Sequence, residues 1–196
     1  MNTAKPFNTQ KLVLLALLTA IVVVLQFLGA FIRFGPFSIS LVLLPIAVGA
    51  ALSGVSAGGW LGLVFGFVVL FSGDAGAFLM IDPVATVAVV LLKGAFAGIA
   101  AGAAYKLIER KNKTVAAIAA AVICPLVNSG IFIIGSYAFF LPTLTQWGVA
   151  AGASSVTAYI FLVLVGGNFL IELGLNLVLS PVIVRLIQYG QDRRKR

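Results

Sequence analysis

Lys93 and Glu172 stand almost alone as charges inside long apolar runs. A charge at mid-bilayer costs about 2.5–3.5 kcal/mol on insertion scales, so such side chains face a bundle interior, where they pair or act on a ligand. Asn128 and Asn168 are uncharged polar groups in similar apolar surroundings. An ammonium can hold a carboxylate or another acceptor oxygen, and it favours a ligand that carries a carboxylate. A glutamate accepts from ligand donors or compensates the lysine, and each asparagine offers paired donors and an acceptor. Together they have the makings of a small-molecule binding site rather than of a passive anchor.

The elements that must position these residues are membrane helices. Of 196 residues, 62% are hydrophobic and 9% charged, against about 25% charged in soluble domains. At about 20 apolar residues per span, the length holds six helices and little else. The expected fold is therefore all-α: one membrane domain over residues 1–196, with no room for a soluble catalytic or nucleotide-binding domain. Spans are expected at about 11–32, 37–52, 55–71, 83–107, 114–140 and 155–188. The fifth is expected to bend or break near Pro125, and the short second and third, separated by Ser53-Gly54, to tilt or re-enter. The first span lacks a small-residue cleavage site and reads as a retained helix.

The net charge of +8 invites a nucleic-acid reading, but its placement does not support one. Every cation except Arg33 and Lys93 falls in three segments: Lys5 and Lys11; Lys106, Arg110, Lys111 and Lys113; and Arg185 with Arg193, Arg194, Lys195 and Arg196. Under the positive-inside rule these flank the cytoplasmic face, which places both termini and the connection between the fourth and fifth spans inside. The connections at residues 33–36, 72–82 and 141–154 fall outside, and the last two contain no Lys or Arg.

With that topology, depth follows from the helix rise of 1.5 Å per residue. Lys93 lies about 15 Å below the outer end of its span, Asn168 about 15–20 Å and Asn128 about 16–18 Å. Glu172 is one turn deeper than Asn168 on the same face, and Asn176 one turn deeper again. Lys93, Asn128, Asn168 and Glu172 thus form a polar cluster near mid-bilayer, beneath outer connections rich in glycine and aromatic residues. Structural readings stand beside this one. Lys93 and Glu172 can neutralise each other, and the asparagines can bridge helices. Asp82 before Pro83 reads as a helix N-cap. Trp147 and Tyr159 suit an interfacial belt, and Arg33 suits a snorkel to the outer headgroups. The four-spaced glycines, Gly58, Gly62 and Gly66 and then Gly94, Gly98 and Gly102, read as close helix packing.

Catalysis finds little support. The chain has no His, and its one cysteine, Cys124, makes neither a disulfide nor a metal site. No Gly-Lys-Ser/Thr phosphate loop is present, so no metal and no cofactor is expected on this chain.

Several segments carry a resemblance: Ala16-Leu-Leu-Thr-Ala20, Phe34-Gly-Pro-Phe-Ser-Ile-Ser-Leu running into Pro45, Asp82-Pro83 with Leu92-Lys93-Gly94, and Cys124-Pro125-Leu-Val-Asn128. With the length and topology, the chain resembles the substrate-binding S components of energy-coupling factor (ECF) vitamin transporters. That resemblance implies a subunit of the bacterial plasma membrane that binds a vitamin or similar nutrient from outside. It implies as partners a transmembrane coupling protein and two cytoplasmic ATPase subunits, which use the ATP. Ala16 and Ala20 would match the family's Ala-x-x-x-Ala contact with the coupling protein, and the subunit would topple in the membrane to deliver its load. Two other functions remain open at this level. One is an autonomous proton-coupled carrier built on the Lys93/Glu172 pair, and the other is a structural membrane subunit whose charges merely pair.

Overall fold

The computed structural model describes residues 9–31, 33–34, 37–38, 41–179, 181–182, 184–185 and 189. Over these residues the fold is helical, apart from one short strand pair. α1 is Thr9–Ala30, and β1 (Arg33–Phe34) pairs antiparallel with β2 (Phe37–Ser38). α2 (Leu43–Ser53) and α3 (Val55–Phe71) follow, then the single turn α4 (Gly76–Leu79). α5 is Pro83–Ile108, α6 Lys113–Phe139 and α7 Leu141–Ala150. α8 spans Val156–Val178, with a π-helical stretch at Tyr159–Gly166. α1, α5, α6 and α8 are each long and apolar enough to cross a membrane, while α2 and α3 are shorter apolar helices.

Helix boundaries follow local chemistry. Asp82 accepts a hydrogen bond from the Ala85 N–H at 2.9 Å, and Pro83 occupies the first turn of α5, where its missing donor costs nothing. Asn112 caps α6 through the N–H groups of Thr114 and Val115, and Ser155 caps α8 through that of Ala158. Gly54 separates α2 from α3 at φ +94°, a conformation that L side chains rarely adopt.

The tightest contact in the bundle lies between α3 and α5. A Cβ at Gly62 would run into the carbonyl oxygen of Gly94, and one at Gly94 into that of Gly62. Gly58 and Gly98 exclude each other's Cβ in the same way, and Gly66 lies against the Val90 carbonyl. The two glycine stripes read from the sequence therefore meet, backbone on backbone. α6 presents a similarly small face, since Ala116, Ala117, Ala120 and Ala121 are all buried. α1 buries Leu18, Val22, Gln26 and Gly29, spaced one turn apart, and Trp60 on α3 donates to its Thr19 hydroxyl at 3.2 Å.

Four expectations need correction. The second span begins at Leu43 rather than near residue 37, because Phe37–Ser38 pairs with Arg33–Phe34 across a Gly-Pro dipeptide that suits a turn and not a helix. α6 is one continuous helix through Pro125, so of the expected bend or break the break does not occur. The connection after it, at 141–154, is largely helical: α7 carries Pro142 in its first turn and buries Leu144 and Gly148. α8 ends at Val178 with a turn at Leu179, but the described residues 181–182, 184–185 and 189 are helical again, so the expected last span is interrupted ahead of Pro181 rather than cut short. Lys5, Gly35-Pro36, Ile39-Ser40, the 192–196 charge cluster and part of the expected tail after 179 lie outside the described residues.

The α3–α5 contact predicts an asymmetric response to added side chains. Gly62→Val must separate two backbones, and overpacking of this kind costs about 1–3 kcal/mol or more. Gly130→Ala, whose added methyl meets nothing within 4 Å, is expected to be neutral. Thermal unfolding of the two variants in detergent checks this.

Candidate functional site

Each long helix contributes to one cavity of about 100 Å³ in the bundle, room for several waters. α1 supplies Gln26, α3 supplies Phe65, and α5 supplies Thr86 and Lys93. α6 adds Asn128 and Phe132, and α8 adds Asn168 and Glu172. The connection between α3 and α5 closes part of the wall with Asp74 and Phe78. Lys93, Asn128, Asn168 and Glu172, the four residues singled out in the sequence, thus come together on the walls of one space. Asn176, a turn below Glu172, is buried but does not line it.

The lysine is held in a specific setting. Its Nζ lies over the ring of Phe65 at 5.8 Å and over that of Phe132 at 5.4 Å from the centroids, within cation–π range of both. The carboxylates whose fields reach it are those of Glu172 and Asp74. Glu172 itself is 6% exposed. A buried carboxylate near a buried ammonium reduces the cost of both, which is how charges persist inside apolar bundles.

A second polar tie was not anticipated from the sequence. Gln26, 2% exposed in the middle of α1, donates through Nε2 to Asp74 Oδ2 at 2.6 Å and to Ser72 Oγ at 3.5 Å. Because a carboxylate only accepts, the amide must present its NH₂ to Asp74, which leaves Oε1 as an acceptor turned away from it. Gln26 Oε1 is buried with no protein partner, and so is Asn128 Oδ1. The signal for Gln26 was available: it is the one polar side chain between Thr19 and Arg33, on the face that also carries Leu18 and Val22.

The end of the cavity beneath α4 and α7 is aromatic. Phe78 projects from α4 into edge contacts with Phe132, Phe140 and Trp147, at centroid distances of 5.6, 4.9 and 5.7 Å. Trp147 therefore packs on a ring of the site's wall. Tyr137 Oη donates to Thr157 Oγ1 at 3.0 Å and ties the C-terminal end of α6 to the start of α8. Among the described residues no three His, Cys, Asp or Glu side chains stand close enough to hold a metal.

The sequence matches the family of ECF transporter substrate-specific components over residues 10–184. The chain belongs to that family. It is a membrane-embedded transport component, and its family is not a family of enzymes. No curated protein matches the chain. Among solved structures it is similar to ThiT from Listeria monocytogenes, with a TM-score of 0.63 and 21% identity over 91% of this chain and 97% of that one. At that identity the likeness concerns the fold alone. In this chain the polar cavity lies among α1, α3, α5, α6 and α8, with the α3–α5 connection as part of its wall.

The Gln26–Asp74 hydrogen bond joins that connection to α1. A hydrogen bond to a charged group contributes about 1.5–3 kcal/mol. Gln26→Leu is expected to raise amide hydrogen exchange over residues 72–82 by about tenfold or more, since local opening reports local stability. Exchange in α5 and α6 is expected to stay unchanged. Equal protection of the connection in both proteins would show that other contacts hold it.

Proposed function

We propose that this chain is the substrate-binding subunit of an ATP-driven ECF importer, taking a vitamin-like water-soluble nutrient from outside the cell. The observation that carries the reading is one polar cavity, lined by Lys93, Asn128, Asn168 and Glu172, inside an otherwise apolar bundle of a family of substrate-specific components. In this reading the four side chains bind the nutrient, and Phe65, Phe78 and Phe132 pack on it. The chain binds no cofactor of its own. ATP is used by two cytoplasmic ATPase subunits, which act through a transmembrane coupling protein.

Six helices lie in the membrane, and both termini face the cytoplasm. The cationic turn between α5 and α6, with Arg110 and Lys111, supports that orientation, as does the lack of Lys and Arg in the connections at 72–82 and 141–154. The outer aromatic wall then faces the side from which substrate arrives.

Ala16 and Ala20 are exposed, on the side of α1 opposite the buried stripe of Leu18, Val22 and Gln26. Small residues on an outward helix face allow close and reversible approach of another helix. We assign this face to the coupling protein. The double variant Ala16→Trp, Ala20→Trp is expected to abolish uptake by the assembled transporter and to leave ligand affinity of the isolated chain unchanged. Loss of binding as well would mean that this face serves the fold rather than the coupling contact.

A further inference from the structure

The hydrogen-bonding capacity left over in the cavity narrows the class of ligand, on the reading that the chain binds its nutrient there. Gln26 and Asn128 both line the cavity and are 2% and 6% exposed, and each keeps a buried amide oxygen that no protein group satisfies. They reach the cavity from different helices, α1 and α6. A buried acceptor without a donor is costly, so neither oxygen can be left bare. Water can meet that need while the cavity holds no nutrient. A nutrient that displaces the water must bring donors of its own, because losing an ordered water without replacing its hydrogen bonds loses affinity.

Gln26 is the more decisive of the two. Its Nε2 donates to Asp74 Oδ2 at 2.6 Å, and a carboxylate only accepts, so the amide cannot exchange its two ends. Turning it over would set its oxygen against a carboxylate oxygen. Oε1 is thereby fixed as an acceptor, whatever else Asp74 binds. The same bond runs from α1 to the α3–α5 connection, so it holds the amide in place as well as in orientation. A glutamine in an apolar helix often serves only as a tie between segments. Here the tie uses the amide nitrogen and leaves the oxygen over. A preset acceptor cannot turn to suit a ligand that offers an acceptor in return, and a site built to bond a donor rejects the analogue that lacks it.

We infer that Gln26 is a specificity residue of the nutrient site: its Oε1 accepts a hydrogen bond from an N–H or O–H of the ligand, and Asn128 accepts a second. The class taken is then a molecule with two such donors, as in a urea, an unsubstituted amide or a polyol. Molecules of the same outline whose donors are alkylated or removed are rejected.

The test is a titration of the purified full chain in detergent with three matched pairs, each a vitamin and an analogue with one donor removed: riboflavin and its imide N-methyl derivative, biotin and its ureido N-methyl derivative, and pyridoxine and its 4-deoxy derivative. At least one vitamin is expected to bind at least about tenfold more tightly than its analogue, the scale of one buried acceptor left unpaired. Gln26→Ala removes the acceptor and leaves room for an added methyl. It is expected to bring that ratio to within about threefold of unity, the sign of a direct coupling between residue and donor. Where the deleted donor is the one that Asn128 meets, Asn128→Ala does so instead. The ratio is internal to each protein, so a loss of packing that weakens both members of a pair leaves it unchanged. Thermal unfolding of each variant separates lost binding from lost fold, and the wild-type ratios stand whether or not the variants fold. Wild-type ratios near one, or a ratio that both folded variants preserve, overturn this inference and leave the binding-subunit reading intact. Failure of the folded chain to bind any of the three vitamins counts against both.

Discussion

The backbone contact between α3 and α5 is the constraint on which the site depends. Gly62 and Gly94 exclude each other's Cβ, so the two helices lie closer than any larger side chain would allow. Lys93 is the residue before Gly94, and Phe65 sits one turn from Gly62 and beside Gly66. The contact that seals the helices together thus also brings the ammonium over the Phe65 ring. Lipid offers no hydrophobic drive between helices, so close packing must supply what burial supplies in water. Position and stability therefore come from the same glycines.

Around that contact the remaining helices solve an electrostatic problem. Lys93 and Glu172 are acceptable in an apolar bundle because they share a cavity with each other and with Asp74. Gln26 on α1 binds Asp74 and so fastens the α3–α5 connection across the bundle. Phe78 follows on the same connection and packs against Phe132 on α6, Phe140 between α6 and α7, and Trp147 on α7. Gln26 and Asn128, both on the cavity lining, each keep a buried amide oxygen without a protein partner, so whatever fills the cavity, water or ligand, must supply the donors.

Much of this was legible in the sequence, for identifiable reasons. Gly54 and Asp82-Pro83 punctuate the chain, so the expected spans at 55–71 and 83–107 agree with α3 and α5 to within a residue. Helix rise alone carried Lys93, Asn128, Asn168 and Glu172 to a common depth, and they line a common cavity. Residues that join the site through tertiary docking escaped notice. Asp74 and Phe78 lie in a connection whose path no periodicity reveals, and Gln26 is uncharged, so it stood out less than the lysine. α7 was read as a loop because a short helix lying over the end of a bundle lacks the long apolar run that marks a span.

The central claim is that this chain binds its nutrient but cannot move it alone. Reconstitution of the purified chain into vesicles, without any coupling protein or ATPase, tests that claim most directly, with bound and accumulated ligand measured under an imposed proton gradient. The account predicts saturable binding of one ligand per chain and no accumulation, with or without the gradient. Gradient-driven accumulation by the chain alone would contradict it and would make Lys93 and Glu172 the moving parts of an autonomous carrier.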